Sequence, residues 1–368
     1  MERRDFLKAL ICGGTGFVLG GCRVGSLLQA SLGTATPDKG TPDLSTVAIK
    51  RFGEERDAAK AVRAALDAIG GMEKVVKSGE VVVIKPNLVC AIGGRWVGRV
   101  TNSKAMDGVI SAVVDCGGKP IVAEGTCEEL YGTTLGFARE TGLLDVCKRY
   151  GAKFVDLNNE EPVRVAVPQP ILWPEVYLAR AALECDRFIS VPCMKVHRAA
   201  GVTLGMKNLV GLMSPKIYGS GGYVRYKIHN LERQLWNQRY GGELEGEDEV
   251  SYWAPLAGTV ADLASARPIH LVVVDGTFGD ERNAPYGDLV DIKERSGSYL
   301  ALAGRDIVAV DAVGAHIMRQ MPKRLQKLRF AASKGLGESR LEKIRVIGER
   351  LEDVAAPMRG YLSGSYVL

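Results

Sequence analysis

From Val47 onward the chain alternates short, fully apolar runs with stretches whose apolar residues recur at helical spacing. VAIKRF reads as a first strand, and Glu54 to Ala68 carries a helical period. VVVIKPNLV, Val81 to Val89, is a continuous β-branched run of the kind buried on both faces of a parallel sheet. Ser103 can cap a helix reaching Cys116, where Gly117 and Gly118 stop it. KPIVAEG is the next strand, followed by a helix to about Tyr150 and the strand AKFVDL. A short strand, VRVAVP, precedes a helix expected from around Pro174, and then comes the strand RFISVPCMKVH.

The same alternation continues beyond it. TLGMKNLVGLM predicts a helix starting near Thr203, and Trp253–Ser265 predicts another. IHLVVVDG and YLALAGRD read as strands, the latter leading into the helix DIVAVDAVGAHIM. A basic helix after Lys323 and a last strand, IRVIG, close the series. Strands alternating with helices of these lengths predict an α/β fold, a mainly parallel sheet with helices on both faces. The pattern fades into a long Gly- and charge-rich insertion at about 214–252, after the central strand–helix motif, with one helical patch near His229–Trp236. Insertions of this kind in α/β proteins serve as lids or as surface decoration. Residues 47–368 are expected to form a single domain.

Chemistry concentrates where the apolar runs end. VVVI stops at Lys85-Pro86-Asn87, PIVA at Glu124, FISV runs on to Lys195 and His197, LVVV stops at Asp275, and LALA at Gly304-Arg305-Asp306. In a parallel sheet all carboxyl ends meet at one rim, where ligands of open α/β folds bind. One such ending is ordinary turn chemistry, since Pro, Asn and Asp–Gly all terminate strands. The five together predict a site. Lys195 and His197 weigh most, because burying charge beside an apolar strand is costly unless the group is paired or functional. Lys207 and Asn208 interrupt an otherwise apolar helix; Lys207 either snorkels to solvent or points into the pocket, where the helix start near Thr203 would add positive charge. Lys85, Lys195 and Lys207 together favour a carboxylate or phosphate ligand.

There are four histidines. His197 is the first candidate for acid–base work or metal ligation. His229 is the second, because it follows the loop YGSGGYVRYK, which could fold over a ligand, whereas His270 and His316 read as structural. A divalent metal could be held by His197, His229 and Glu124, although no spacing demands one and no H-E-x-x-H, Walker loop or nucleophile elbow is present. The cofactor therefore stays unassigned.

Composition narrows the classes. The chain has 368 residues, 46% hydrophobic and 25% charged, which is ordinary for a globular protein. Its net charge of +5 is spread without any basic block, so nucleic acid is not an expected partner. Cys90, Cys116, Cys127, Cys147, Cys185 and Cys193 form no C-x-x-C pair, which removes local support for a ferredoxin-type iron–sulfur cluster.

The N-terminus carries a different signal. Arg3–Arg4, Phe6, Leu7 and Lys8 precede an uncharged stretch from Ala9 to Gly21 that is too short to span a bilayer. The pattern predicts a twin-arginine signal over residues 1–21, read by the export machinery for folded proteins. Leu19-Gly20-Gly21-Cys22 resembles a lipoprotein cleavage box, with Cys22 acylated as the new first residue; cleavage near Gly33-Thr34-Ala35 is the rival. Residues 22–46, rich in Gly, Pro, Ser and Thr, would then tether an exported domain to a membrane, in the periplasm or on the outer surface.

VVVIKPNLV, VPCMKVHRAAGVTLGMKNLVGLM, KIHN and LVVVDG…GRDIVAVDAV, in this order between Val81 and Met318, resemble the uncharacterised bacterial and archaeal proteins grouped as DUF362. The family's lysine-proline-asparagine falls on Lys85, Pro86 and Asn87, its lysine-x-histidine on Lys195 and His197, its lysine-asparagine on Lys207 and Asn208, and its following histidine on His229. Some relatives carry a cysteine-rich iron–sulfur segment that is missing here, and GTFGDERNAPYGD departs from their glycine-rich wording. The family has no settled activity to lend. Three functions follow from the residues. The first is an exported enzyme acting on a small anion, with lysines stabilising charge, His197 and His229 moving protons, and Lys85, Asn87, Lys207, Asn208, Glu124, Asp275 and Asp306 binding. The second is a lipid-tethered anion-binding protein, and the third a carrier of a cofactor or metal loaded before export.

Overall fold

The computed structural model describes residues 45–89, 97–126, 133–219, 227–241, 249–284 and 286–360, without the side chains of 249–253. The twin-arginine stretch, Cys22 and the tether up to residue 44, Cys90, Cys127 and most of the YGSGGYVRYK loop lie outside them. Among the described residues thirteen strands run in chain order: β1 Thr46–Phe52, β2 Val81–Pro86, β3 Lys119–Glu124, β4 Lys153–Asp156, β5 Pro162–Ala166, β6 Glu175–Ala179, β7 Arg187–Val191, β8 Cys193–His197, β9 Gly201–Thr203, β10 Leu271–Glu281, β11 Asp288–Asp291, β12 Tyr299–Gly304 and β13 Arg345–Gly348. All but β5 and β6 belong to one sheet, whose main path is β13-β1-β12-β10-β7-β2-β3-β4.

Alternation along these strands builds two apolar layers. Ala48, Val82, Ile84, Val122, Val273 and Ala303 join one core with Val62 and Leu66 of the helix Ala58–Ala68 and Met106 and Val109 of the helix Ser103–Asp115. The intervening Val47, Ile49, Val83, Phe188, Val272 and Leu302 are also fully buried and point to the other face. There the helix Ile307–Ile317 packs, with Val310 over Gly304 and Gly314 under Leu204. The sheet is mainly parallel with helices on both faces, as the apolar runs predicted.

Three expectations need correction. β12 runs antiparallel to both β1 and β10, its last residue Gly304 lying beside Val47 and Val272 at their starts. Arg305 and Asp306 therefore sit at the rim opposite the ends of β2 and β3. The segment after Pro174 is the strand β6, antiparallel to β5, followed by the single turn Arg180–Leu183. Thr203 ends the strand β9, and Lys207–Leu212 is a 3-10 segment, so no helix begins at Thr203 to lend charge to an anion. Within the insertion, Pro215–Tyr218 and Lys227–Tyr240 are helical, and Glu249–Ala266 is a helix longer than expected.

Pro192 explains how the site strand forms. Lacking an N–H, it ends β7, and the chain resumes as β8 beside the distal half of β10, with Asp275 opposite Cys193 and Asp280 opposite Lys195. β9 folds back on β8, pairing Lys195 with Thr203 and His197 with Gly201. The hairpin is anchored beneath by Asp311, whose carboxylate accepts the Gly205 N–H at 2.7 Å and the Met206 N–H at 3.3 Å. Lys327, from the helix Gln326–Ser333, donates to the Val202 carbonyl and lies 3.8 Å from Asp311. Burial outweighs their attraction, pushing Asp311 up to about 6 and Lys327 down to about 8.

Breaking such a pair leaves one buried charge, so Lys327→Met should cost about 3–5 kcal/mol at pH 7 in chemical denaturation. The folded Asp311 binds its proton more tightly than the unfolded one, so its contribution favours the fold at low pH and is lost as pH rises through about 6. The deficit of Lys327→Met should therefore shrink on going from pH 7 to pH 5; a deficit that grows would contradict this anchor.

Candidate functional site

At the carboxyl ends of β2 and β3, Lys85 and Glu124 are almost fully buried. Lys85 Nζ donates to both Glu124 oxygens at 2.6 and 2.7 Å, to Asn208 Oδ1 at 3.0 Å and to the Pro86 carbonyl at 3.1 Å. Glu124 also accepts the Leu88 N–H at 2.9 Å and the Gly125 N–H at 2.8 Å. Asn208 closes the network, donating to the Lys85 carbonyl at 3.1 Å and Ser190 Oγ at 3.0 Å. A charge this deep is tolerated only with such satisfaction. The pair thus knits together two strand ends, the turn after β2 and the Lys207–Leu212 segment.

Asn87 extends the network outward. Its Nδ2 donates to Asn208 Oδ1 at 3.2 Å, and its Oδ1 accepts from Lys195 Nζ, which also donates to the Arg99 carbonyl at 3.0 Å. Asp280 stands across from Lys195, with Arg99 Nε 3.3 Å from its Oδ2, and burial pushes its carboxyl up to about 6 against those cations. Lys195 is therefore committed to structure on three sides.

A cleft of about 100 Å³ opens above this floor, lined by Lys85, Asn87, Glu124, Thr203, Lys207 and Asn208, with Val210 and Gly211 along one wall. Gly211 has to be glycine, because a Cβ there would stand 2.8 Å from Lys85 Nζ and 2.9 Å from Glu124 Oε1. Thr203 Oγ1 is buried in the wall and has no hydrogen-bond partner among the described residues. A buried hydroxyl left unsatisfied costs about 1–3 kcal/mol, and native structures hold few of them.

The hairpin register puts His197 on the same face as Lys195 and Thr203. Its Nδ1 accepts the Ala199 N–H at 3.0 Å. Burial first, then the neighbouring Lys207, His229, Lys327 and Lys195, hold its imidazole well below the ordinary histidine range, so it is neutral at pH 7. His229, on the helix Lys227–Tyr240, is half-exposed, and its Nδ1 lies 2.7 Å from the buried Glu232.

The cleft thus brings together Lys85, Asn87, Glu124, Lys207 and Asn208, with His197 and His229 close enough to influence one another. Asp275 is used elsewhere: its carboxylate accepts the Asn102 N–H at 2.7 Å and Thr277 Oγ1 at 2.8 Å, and it does not line the cleft. Asp306 caps the helix Ile307–Ile317 through the Val308 and Ala309 N–H groups, both at 2.9 Å, on the far rim. Among the described residues no three His, Cys, Asp or Glu side chains converge to hold a metal. The described cysteines Cys116, Cys147, Cys185 and Cys193 are free thiols. Sequence reasoning missed Thr203, Asp311 and Lys327. An acid inside so apolar a helix as Ile307–Ile317 was a usable signal for Asp311; the other two emerge only with the hairpin register.

A model of the family described as Domain of unknown function (DUF362) matches residues 82–316. A thylakoid-associated protein from Synechocystis sp. is 25% identical over 279 residues, 75% of this chain and 74% of that protein. Among solved structures, the lactate racemase apoprotein from Thermoanaerobacterium thermosaccharolyticum aligns with a TM-score of 0.43 and 12% identity, covering 75% of this chain and 57% of that one. A protein from Thermotoga maritima aligns at 0.39 and 10%, covering 77% and 60%. This chain spans less than two thirds of either solved structure, and neither lends it an activity.

If the Lys85–Glu124 pair is a brace, Glu124→Gln should lose about 3–5 kcal/mol, whereas Lys85→Met with Glu124→Leu should regain most of it. Urea denaturation of the three proteins decides. A double variant no more stable than Glu124→Gln would show that the ions matter for more than their mutual compensation.

Proposed function

We propose that this chain, which belongs to the DUF362 family, binds a small oxyanion, a carboxylate or phosphate group, in the cleft above Lys85 and Glu124 and acts on it as an enzyme. The observation that carries the reading is the buried Thr203 hydroxyl, without a partner among the described residues, in a wall it shares with Lys207. Lys85, bonded to Glu124, and Lys195, bonded to Asn87 and the Arg99 carbonyl, brace the floor and the hairpin around the cleft. Lys207 supplies the cation, Thr203 a neutral donor, and His197 a third donor through Nε2–H, because its Nδ1 is already an acceptor. Donors fixed before the ligand arrives stabilise charge without reorganisation, which is what catalysis on an anion needs.

Export belongs to the same proposal. The twin-arginine stretch would carry the folded domain out, and Cys22 would hold it to a membrane in the periplasm or on the outer surface. Intact-mass analysis of protein from its native host should then show Cys22 as the lipid-modified first residue, and Cys22→Ala should be released or left unprocessed. An unmodified chain starting at Met1 would remove the anchor.

Thr203→Val tests the cleft because it should move stability and binding in opposite directions. Removing an unsatisfied buried hydroxyl should raise stability by about 1 kcal/mol. Inorganic phosphate, followed by calorimetry, should bind about tenfold more weakly, equivalent to about 1.4 kcal/mol. Lys207→Met should lose at least as much and flatten the salt dependence. Phosphate affinity unchanged in both variants would sink the assignment.

A further inference from the structure

Glu232 is a carboxylate buried to within 4% of full enclosure, placed behind a half-exposed histidine. One oxygen meets His229 Nδ1 at 2.7 Å, and the other accepts from Thr259 Oγ1 at 3.0 Å. Thr259 in turn accepts from Trp173 Nε1 at 2.8 Å, and both it and the indole are fully buried. The backbone beneath is fixed as well, since Asp262 accepts the N–H groups of Ile171, Leu172 and Trp173 at 2.7 to 2.8 Å and pairs with Lys334 at 2.6 Å. A carboxylate is expensive to desolvate, and a surface histidine does not need one. Such a chain fixes a histidine's tautomer and orientation and stabilises its imidazolium.

The two histidines of the site are held in opposite senses. With the carboxylate as acceptor, His229 carries its proton on Nδ1, and its other ring nitrogen, Nε2, is an acceptor. The Ala199 N–H only donates, so neutral His197 carries its proton on Nε2, and its outward nitrogen is a donor. A base and a hydrogen-bond donor are thereby set within electrostatic reach of one another, the donor on the hairpin face that carries Thr203.

We infer that His229 is the proton-accepting residue of the site and His197 its donor, with Glu232, Thr259 and Trp173 as positioning residues that hold His229 in the accepting tautomer. The inference rests on the anion-binding reading of the cleft. A proton leaves an O–H or C–H of the held ligand for His229 Nε2, and the freed electron pair stays on the ligand at an oxygen that His197 Nε2–H bonds. The imidazolium keeps its Nδ1–H on Glu232, and the same proton can return to the ligand or its product, so no oxidant or further reactant is required.

Histidine-selective nitrogen-15 NMR of the full chain tests this without a known reaction, because only four histidines must be resolved. At a pH where both rings are neutral, His229 should show the Nδ1–H form and His197 the Nε2–H form. In Glu232→Leu, His229 should lose that preference while His197 keeps its own; Thr259→Val should weaken it by less. Inorganic phosphate should shift both outward nitrogens along one saturation curve. His229 as the Nε2–H tautomer in the wild type, or its signals unmoved while phosphate saturates the His197 response, would overturn the pairing yet leave the anion site standing. No response at either histidine together with no calorimetric binding would overturn the anion site itself.

Discussion

The arrangement depends on one constraint: Lys85 and Glu124 are almost fully buried, so the groups around them must compensate both charges. That requirement places Asn208, the Leu88 and Gly125 N–H groups and the small Gly211 around the pair. It couples elements far apart in sequence, the ends of β2 and β3 and the segment after β9. The price is met in geometry, since a polar knot of this kind tolerates little displacement of its members. A cleft with such a floor is rigid before any ligand reaches it.

A second layer rests on that floor. Asn87 links the knot to Lys195 in β8, and the antiparallel return of β9 sets Thr203 across from Lys195. Asp311 and Lys327 hold the far end of the same hairpin. The sheet's apolar layers provide the stiffness, while these polar links decide which side chains look into the cleft. Lys207 and Thr203 line it, His197 shares the hairpin face of Thr203, and His229 lies near enough to influence His197.

Most of the frame could be read from the chain because buried strands need unbroken apolar runs, and VVVI, PIVA, FISV and LVVV supply them. Strand direction could not be read, since a run of buried residues packs equally well either way. Asp306 was therefore expected beside Lys85, while the antiparallel β12 carries it to the opposite rim. EVYLA after Pro174 is short enough for its burial to suit a helix or a strand, and pairing with β5 decides for β6. The cleft residues Lys85, Asn87, Lys207 and Asn208 stood out because charge and amide interrupt apolar runs. Thr203 did not, because a threonine in a strand is ordinary until its hydroxyl is found without a partner. Glu232 was equally silent: an acid on a polar helix gains meaning only once burial is known.

The claim at the centre is that the space over the Lys85–Glu124 floor is an anion site. The most direct measurement is anomalous diffraction from crystals of the full chain soaked in selenate, which mimics phosphate geometry and marks its own position. A selenium peak is expected in the cleft, placed so that the selenate oxygens accept from Thr203 Oγ1 and Lys207 Nζ, with His197 Nε2–H toward a third oxygen. A cleft without a peak at concentrations that occupy other surface sites would contradict it.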